Sequence, residues 1–105
     1  MSKHLDILQS YKQVVESYEN VGEWRVWIHH DHIGSTEITI RIDLGSDGKY
    51  HYSTSHYYQG SNQAGPYISS RNSEDTIEQA LESAMSQLLS FFKNDDEGAR
   101  WVEAK

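Results

Sequence analysis

Six histidines stand among 105 residues, and four consecutive positions, His29, His30, Asp31 and His32, gather imidazole and carboxylate in one short stretch. These side chains bind zinc, nickel or copper, and imidazole is also the group best suited to moving protons near neutral pH. Spacing limits what they can do. Neighbouring strand residues point to opposite faces, so His29 and His30 converge on one ion only if the strand has already ended there, whereas His30 and His32 share a side either way. His30 and His32 are therefore the candidate metal ligands, although the spacing matches no established zinc pattern. His51 and His56 point opposite ways in a regular strand.

For covalent chemistry the chain offers no nucleophile elbow, no phosphate-cradling glycine loop and no paired-histidine metalloprotease sequence. Serine, histidine and aspartate are all present, but a triad is a matter of geometry rather than of composition. With no cysteine there is neither a disulfide framework nor a thiolate site. The expectation is a non-enzyme without a cofactor.

Charge is the second chemical resource. Sixteen acids against nine bases give a formal charge of −7, which repels phosphate backbones and argues against direct nucleic-acid binding. The acids concentrate toward the C-terminus. Glu74, Glu78 and Glu82 repeat at i, i+4 with Asp75 beside them, and Asp95, Asp96 and Glu97 follow as a run. On one helix the first set forms a ridge of carboxylates about 6 Å apart, a spacing able to meet a basic groove built for phosphates. An acidic face solvated for its own sake is the simpler reading, and Glu74 and Asp75 would also favour a helix N-terminus. Aromatics are the third resource: five of the seven tyrosines fall between Tyr50 and Tyr67, and Trp27, Tyr57, Tyr58, Tyr67 and Trp101 fall where a partner could reach them.

The elements that position these groups follow from periodicity. Leu5, Ile7, Leu8, Tyr11, Val14, Val15 and Tyr18 recur at helical spacing, predicting a helix from Lys3 to about Asn20 that ends at Gly22. Trp24, Val26 and Ile28 alternate with Arg25, Trp27 and His29, and Ile38, Ile40, Ile42 and Leu44 alternate with Glu37, Thr39, Arg41 and Asp43, predicting two half-buried strands. Gly45-Ser46-Asp47-Gly48 marks a hairpin turn into a third strand, Lys49 to Tyr58. A type I turn with Gly48 in a bulge makes the loop odd, so Leu44 faces Tyr50 and Ile42 faces Tyr52, both tyrosines buried. Residues 59–66 read as a polar loop. Asn72 or Ser73 then caps a second helix whose stripe, Ile77, Ala80, Leu81, Ala84, Leu88, Phe91 and Phe92, carries it to about Lys93.

The expected fold is α+β: a three-stranded antiparallel sheet with two helices on one face, in the order α-β-β-β-α, forming a single domain over residues 1–105. Residues 93–105 are an acidic tail free to pack back on it. Trp27, a large indole on the open face, calls for a cover: a partner, a second copy in a homodimer, or Trp101 from that tail. The N-terminus lacks an apolar signal core and no run is long enough to cross a bilayer, so a cytoplasmic location with no membrane partner is expected.

That element order resembles the order of double-stranded RNA-binding domains. The resemblance stops at topology, because the start of the second helix, where that family reaches phosphates with basic residues, here carries Ser73, Glu74 and Asp75. In size, charge and element order the chain also resembles, in type, phage-encoded inhibitors of host defence nucleases, anti-CRISPR proteins among them, and toxin-neutralising immunity proteins. The functional expectation is a non-catalytic acidic protein-binding module, a nucleic-acid mimic occluding a basic surface of a nucleic-acid-handling partner. Its contacts would be Glu74, Asp75, Glu78, Glu82, Asp95, Asp96, Glu97, Trp27, Tyr57, Tyr58 and Tyr67. The alternative is a metal- or small-ligand-binding protein using the turn 29–32 and the loop 59–67.

Overall fold

A computed structural model describes residues 2–105. The chain is α+β, with two helices and antiparallel sheets among the described residues, strands predominating. Helix α1 spans Lys3–Gln9, and the strands β1 (Tyr18–His30), β2 (Gly34–Gly45) and β3 (Tyr50–Thr54) follow as a meander. Strand β4 (His56–Gln59), the two-residue β5 (Ser73–Glu74), helix α2 (Ile77–Leu89) and strand β6 (Arg100–Glu103) complete it. The larger sheet has the order β1-β2-β3-β5; β4 and β6 pair separately. The molecule is elongated, 52 × 24 × 20 Å, because β1 and β2 form a long ribbon.

Alternation places the core as expected. Ile38, Ile40, Ile42 and Tyr52 are buried against Ala80, Ala84 and Leu88 of α2, with Trp24, Val26, Ile28 and Leu81 half-buried around them. Helix α2 begins at the Thr76 cap, whose side chain accepts the Gln79 N–H, and its apolar stripe lies on the sheet. Both hairpins turn through a glycine at positive φ, Gly34 (89°) and Gly48 (81°). At the second, Gly48 N–H bonds Gly45 O and Gly45 N–H bonds Lys49 O, the odd loop that sets Ile42 opposite Tyr52 and Leu44 opposite Tyr50.

Three expectations need correction. The first helix stops at Gln9, where Ser10 caps it; of its expected stripe Leu5 is buried, while Ile7, Leu8, Tyr11, Tyr18 and Val15, the last 90% accessible, face solvent. The ladder outweighs the local spacing: β2 runs to Gly45, and the backbone of Asp43 to Gly45 is met by Tyr18 to Asn20, which a helix would have withheld. Gly22 is therefore no helix end. It follows a bulge in β1, where a β-carbon would lie 2.2 Å from the Trp24 ring.

The third expected strand breaks at Ser55. Ser55 N–H bonds Thr39 O (2.9 Å) and Ser55 Oγ accepts the Thr39 N–H (2.9 Å). The side chain thus stands in for its own carbonyl, which is left to accept the Ala104 N–H (2.8 Å). The chain leaves the first sheet there and His56–Gln59 pairs with Arg100–Glu103, so the C-terminal tail does pack back, as a strand. The four-stranded sheet gains its last member from Ser73–Glu74, residues expected at the cap and first turn of a helix; correspondingly α2 starts at Ile77 and ends at Leu89, leaving Phe91 and Phe92 beyond it.

Candidate functional site

The histidine turn is structural. His30 is fully buried at the end of β1; its Nε2 lies 2.7 Å from Lys93 O and its Nδ1 accepts the His32 N–H at 3.1 Å. A carbonyl on one nitrogen and an N–H on the other define the Nε2–H tautomer and leave no lone pair for a metal. His30 and His32, the candidate ligands, have ring centroids 6.0 Å apart, and among the described residues no group of three or more His, Cys, Asp or Glu side chains is arranged to hold a metal. At the exposed end of the ribbon His29 reaches Ser35 Oγ (3.2 Å) and lies 3.7 Å from Asp31 Oδ1. These three are the ingredients of a hydrolytic triad, but the carboxylate is beyond hydrogen-bond reach and all three side chains sit in solvent.

His30 instead anchors an aromatic cluster. Its ring meets Phe92 edge-on (5.4 Å), and Tyr58 lies 5.3 Å from both Phe92 and Trp101. Tyr58 OH accepts the Lys93 N–H (3.1 Å). Tyr58, 1% accessible, is therefore core and out of a partner's reach, and Trp101, half-buried here, does not cover Trp27. Tyr57 points to the opposite side and is half-buried; Tyr67 is half-buried edge-on to Phe91. Burying the cluster leaves Trp101 Nε1 without an acceptor.

The acidic ridge is divided. Glu74, in β5, turns inward, paired with Arg71 (2.9 Å) and accepting from Ser83 Oγ (2.8 Å). Asp75, ahead of the helix, is bonded by Lys49, which holds its carboxyl below the usual range while raising the Lys49 ammonium. Glu78 and Glu82 alone project from the exposed face of α2. The repeat at i, i+4 was visible in sequence; the helix start that cut it was not, because Thr76 competes as a cap with Asn72 and Ser73.

The C-terminal acids meet the loop. Asp96 accepts the N–H groups of Ser61 (2.9 Å) and Gly98 (3.1 Å), and the Ser61 bond is the main reason its carboxyl titrates below its ordinary value. That clamp holds loop 60–63 beside the turn after α2 and shapes a groove of about 320 Å³. Its walls are Gly60, Ser61 and Gln63 on one side and Phe91, Lys93, Asp95 and Glu97 on the other. Asp95, Glu97 and Phe91 are exposed, so two carboxylates without an ion pair among the described residues line the same groove as an accessible aromatic ring and the exposed Lys93. The signal available in sequence was an acidic run, but its meeting with loop 59–66 depends on the β4–β6 pairing.

A second depression, about 340 Å³, lies on the open sheet face among Glu23, Thr39, Arg41, Ser53, Ser55 and Tyr57. Its Arg41 is bonded to Asp43 (3.2 Å), and outside it Arg25 lies 3.7 Å from Glu37. Trp27, 67% accessible, stands beyond it on the same face. No protein-family profile, curated protein or solved structure matches the chain. No helix among the described residues is long and apolar enough to cross a membrane.

Proposed function

We propose that the chain is a non-catalytic acidic protein-binding module that occupies a basic, nucleic-acid-binding surface of a partner, in the manner of small phage inhibitors of defence nucleases and of immunity proteins. The observation that carries this reading is the groove at the end of α2. Asp95 and Glu97, which form no ion pair among the described residues, share this groove with the exposed Phe91 ring, a combination suited to a lysine or arginine: the acids take the cationic head and the ring takes its stem or guanidinium face. Asp96 is spent on holding the loop, which keeps the rim in place before a partner arrives. Glu78 and Glu82, in the first half of α2, add a second negative region. A net charge of −7 steers a basic partner toward both.

The test is capture on the immobilised chain with competition by heparin. Captured proteins should be basic nucleic-acid binders released by heparin and by high salt, since the polyanion competes for the same surface. Capture that neither heparin nor salt disturbs would overturn the reading.

A further inference from the structure

The free edge of the four-stranded sheet is defined by backbone parity. Thr39 directs both its N–H and its C=O at Ser55, away from β1. Because that direction alternates along an antiparallel strand, Ile38, Ile40 and Ile42 face β1 and bond Val26, Trp24 and Gly22. Glu23, Arg25, Trp27 and His29 are left with backbone N–H and C=O groups pointing outward. Asp31 has the same parity, but its N–H is already bonded by Asn94 O (3.3 Å) and Oδ1 (3.1 Å). At the other end the bulge between Asn20 and Gly22 interrupts the ladder. The open run is thus 23–29, and its midpoint is Val26.

We propose that this edge pairs with β1 of a second copy of the chain, antiparallel, about a two-fold axis through Val26. Such an axis is what an isologous dimer requires, and the side chains select the same register as the backbone does. On the open face Glu23 comes opposite His29 of the second copy and Arg25 opposite its Trp27, so each half supplies an acid–imidazole pair and a cation over an indole. A slip of two residues in one direction sets Arg25 against Arg25; in the other it sets Glu23 against Asp31. On the core face the half-buried Trp24, Val26 and Ile28 meet their counterparts and extend the core across the junction. The dimer covers Trp27, an indole left 67% accessible in the single chain. Arg25 is free to turn to it, since its contact with Glu37 is long and exposed. A long strand edge left without a bulge, proline or cover over this stretch is otherwise an aggregation hazard.

The experiment is sedimentation equilibrium on the wild type, on Arg25→Pro and on single-cysteine variants, which are clean because the chain has no cysteine. Arg25→Pro removes an N–H that bonds nothing among the described residues, so the fold tolerates it on an edge. Wild type should sediment at twice 12.1 kDa, and Arg25→Pro should raise the dimer dissociation constant at least about tenfold. Val26→Cys sits on the axis, at a non-hydrogen-bonded pair about 4.5 Å apart between Cα atoms, and should cross-link to its mate under mild oxidation; Ser53→Cys, off the axis, should not. If Arg25→Pro fails to fold, the cross-link decides. A monomer at every concentration, or a dimer in which Val26→Cys stays reduced, overturns the proposal.

Discussion

Where β2 meets α2 the molecule buries aliphatic side chains beneath a regular ladder, whereas where β4 meets β6 it buries aromatic rings tied down by polar bonds. In the ribbon, Ile38, Ile40 and Ile42 meet Ala80, Ala84 and Leu88, and each contact follows from alternation in β2 and periodicity in α2. Around the strap formed by β4, loop 60–63 and β6, the rings of Tyr58 and Phe92 meet His30, and Trp101 meets both of them; Lys93 gives its carbonyl to His30 and its N–H to Tyr58. Apolar area stabilises the first region without directional requirements. The second depends on particular hydrogen bonds, and a broken one leaves a buried group unpaired. The acid-rimmed groove is built on the second.

That contrast orders the expected effects of mutation. Ile40→Ala, in the packed ribbon, should cost about 2 to 5 kcal/mol of unfolding free energy in urea titrations. Tyr58→Phe keeps the ring and strips the acceptor from the Lys93 N–H, so about 1 to 3 kcal/mol is expected, together with faster amide exchange confined to β4, β6 and the turn after α2. A uniform change in exchange across the ribbon would erase the distinction between the regions.

Acid should act on the strap and the turns before the ribbon. Asp96 is held below its ordinary value by the Ser61 and Gly98 N–H groups, Asp75 by Lys49, and Asp47 chiefly by the Lys49 N–H. Each folded carboxyl is thus a stronger acid than its unfolded counterpart, which titrates near about 3.9. Its stabilisation is present above that pH and is lost as pH falls through the folded value. The melting temperature should fall below pH of about 4, and Asp96→Ala should flatten that fall while loosening loop 60–63; an unchanged acid profile would show that the clamp carries no stability. The smallest effect belongs to Glu78→Lys with Glu82→Lys, exposed on α2, for which changes under about 0.5 kcal/mol each are expected in the same titrations.

The same contrast explains what the sequence discloses. The β2–β3 register was readable to the residue, because the turn Gly45 to Gly48 fixes parity and parity turns Tyr50 and Tyr52 to the core side, where Tyr52 is buried and Tyr50 half-buried. The strap was not readable. Ser55 passes its carbonyl to Ala104 by using its own hydroxyl in the ladder, a substitution invisible to alternation patterns, and everything downstream follows from it: Tyr58 in the core, Trp101 far from the role of covering Trp27, and the acids at 95–97 against the loop. Helical spacing in residues 5–18 misleads for the same reason, since the demand for a partner to the end of β2 comes from distant chain. Glu78, Glu82, Asp95 and Glu97 could be picked out as exposed acids; which neighbours they would face could not.

The most direct measurement of the proposed function compares proteins captured by the immobilised wild type with those captured by an Asp95→Lys, Glu97→Lys double variant at low salt. Both side chains are exposed and form no ion pair among the described residues, so the fold should persist, verified by an unchanged melting temperature. The account predicts that the variant loses the salt-sensitive basic partner that the wild type holds. Equal capture by both proteins would contradict it and remove the groove from the binding surface.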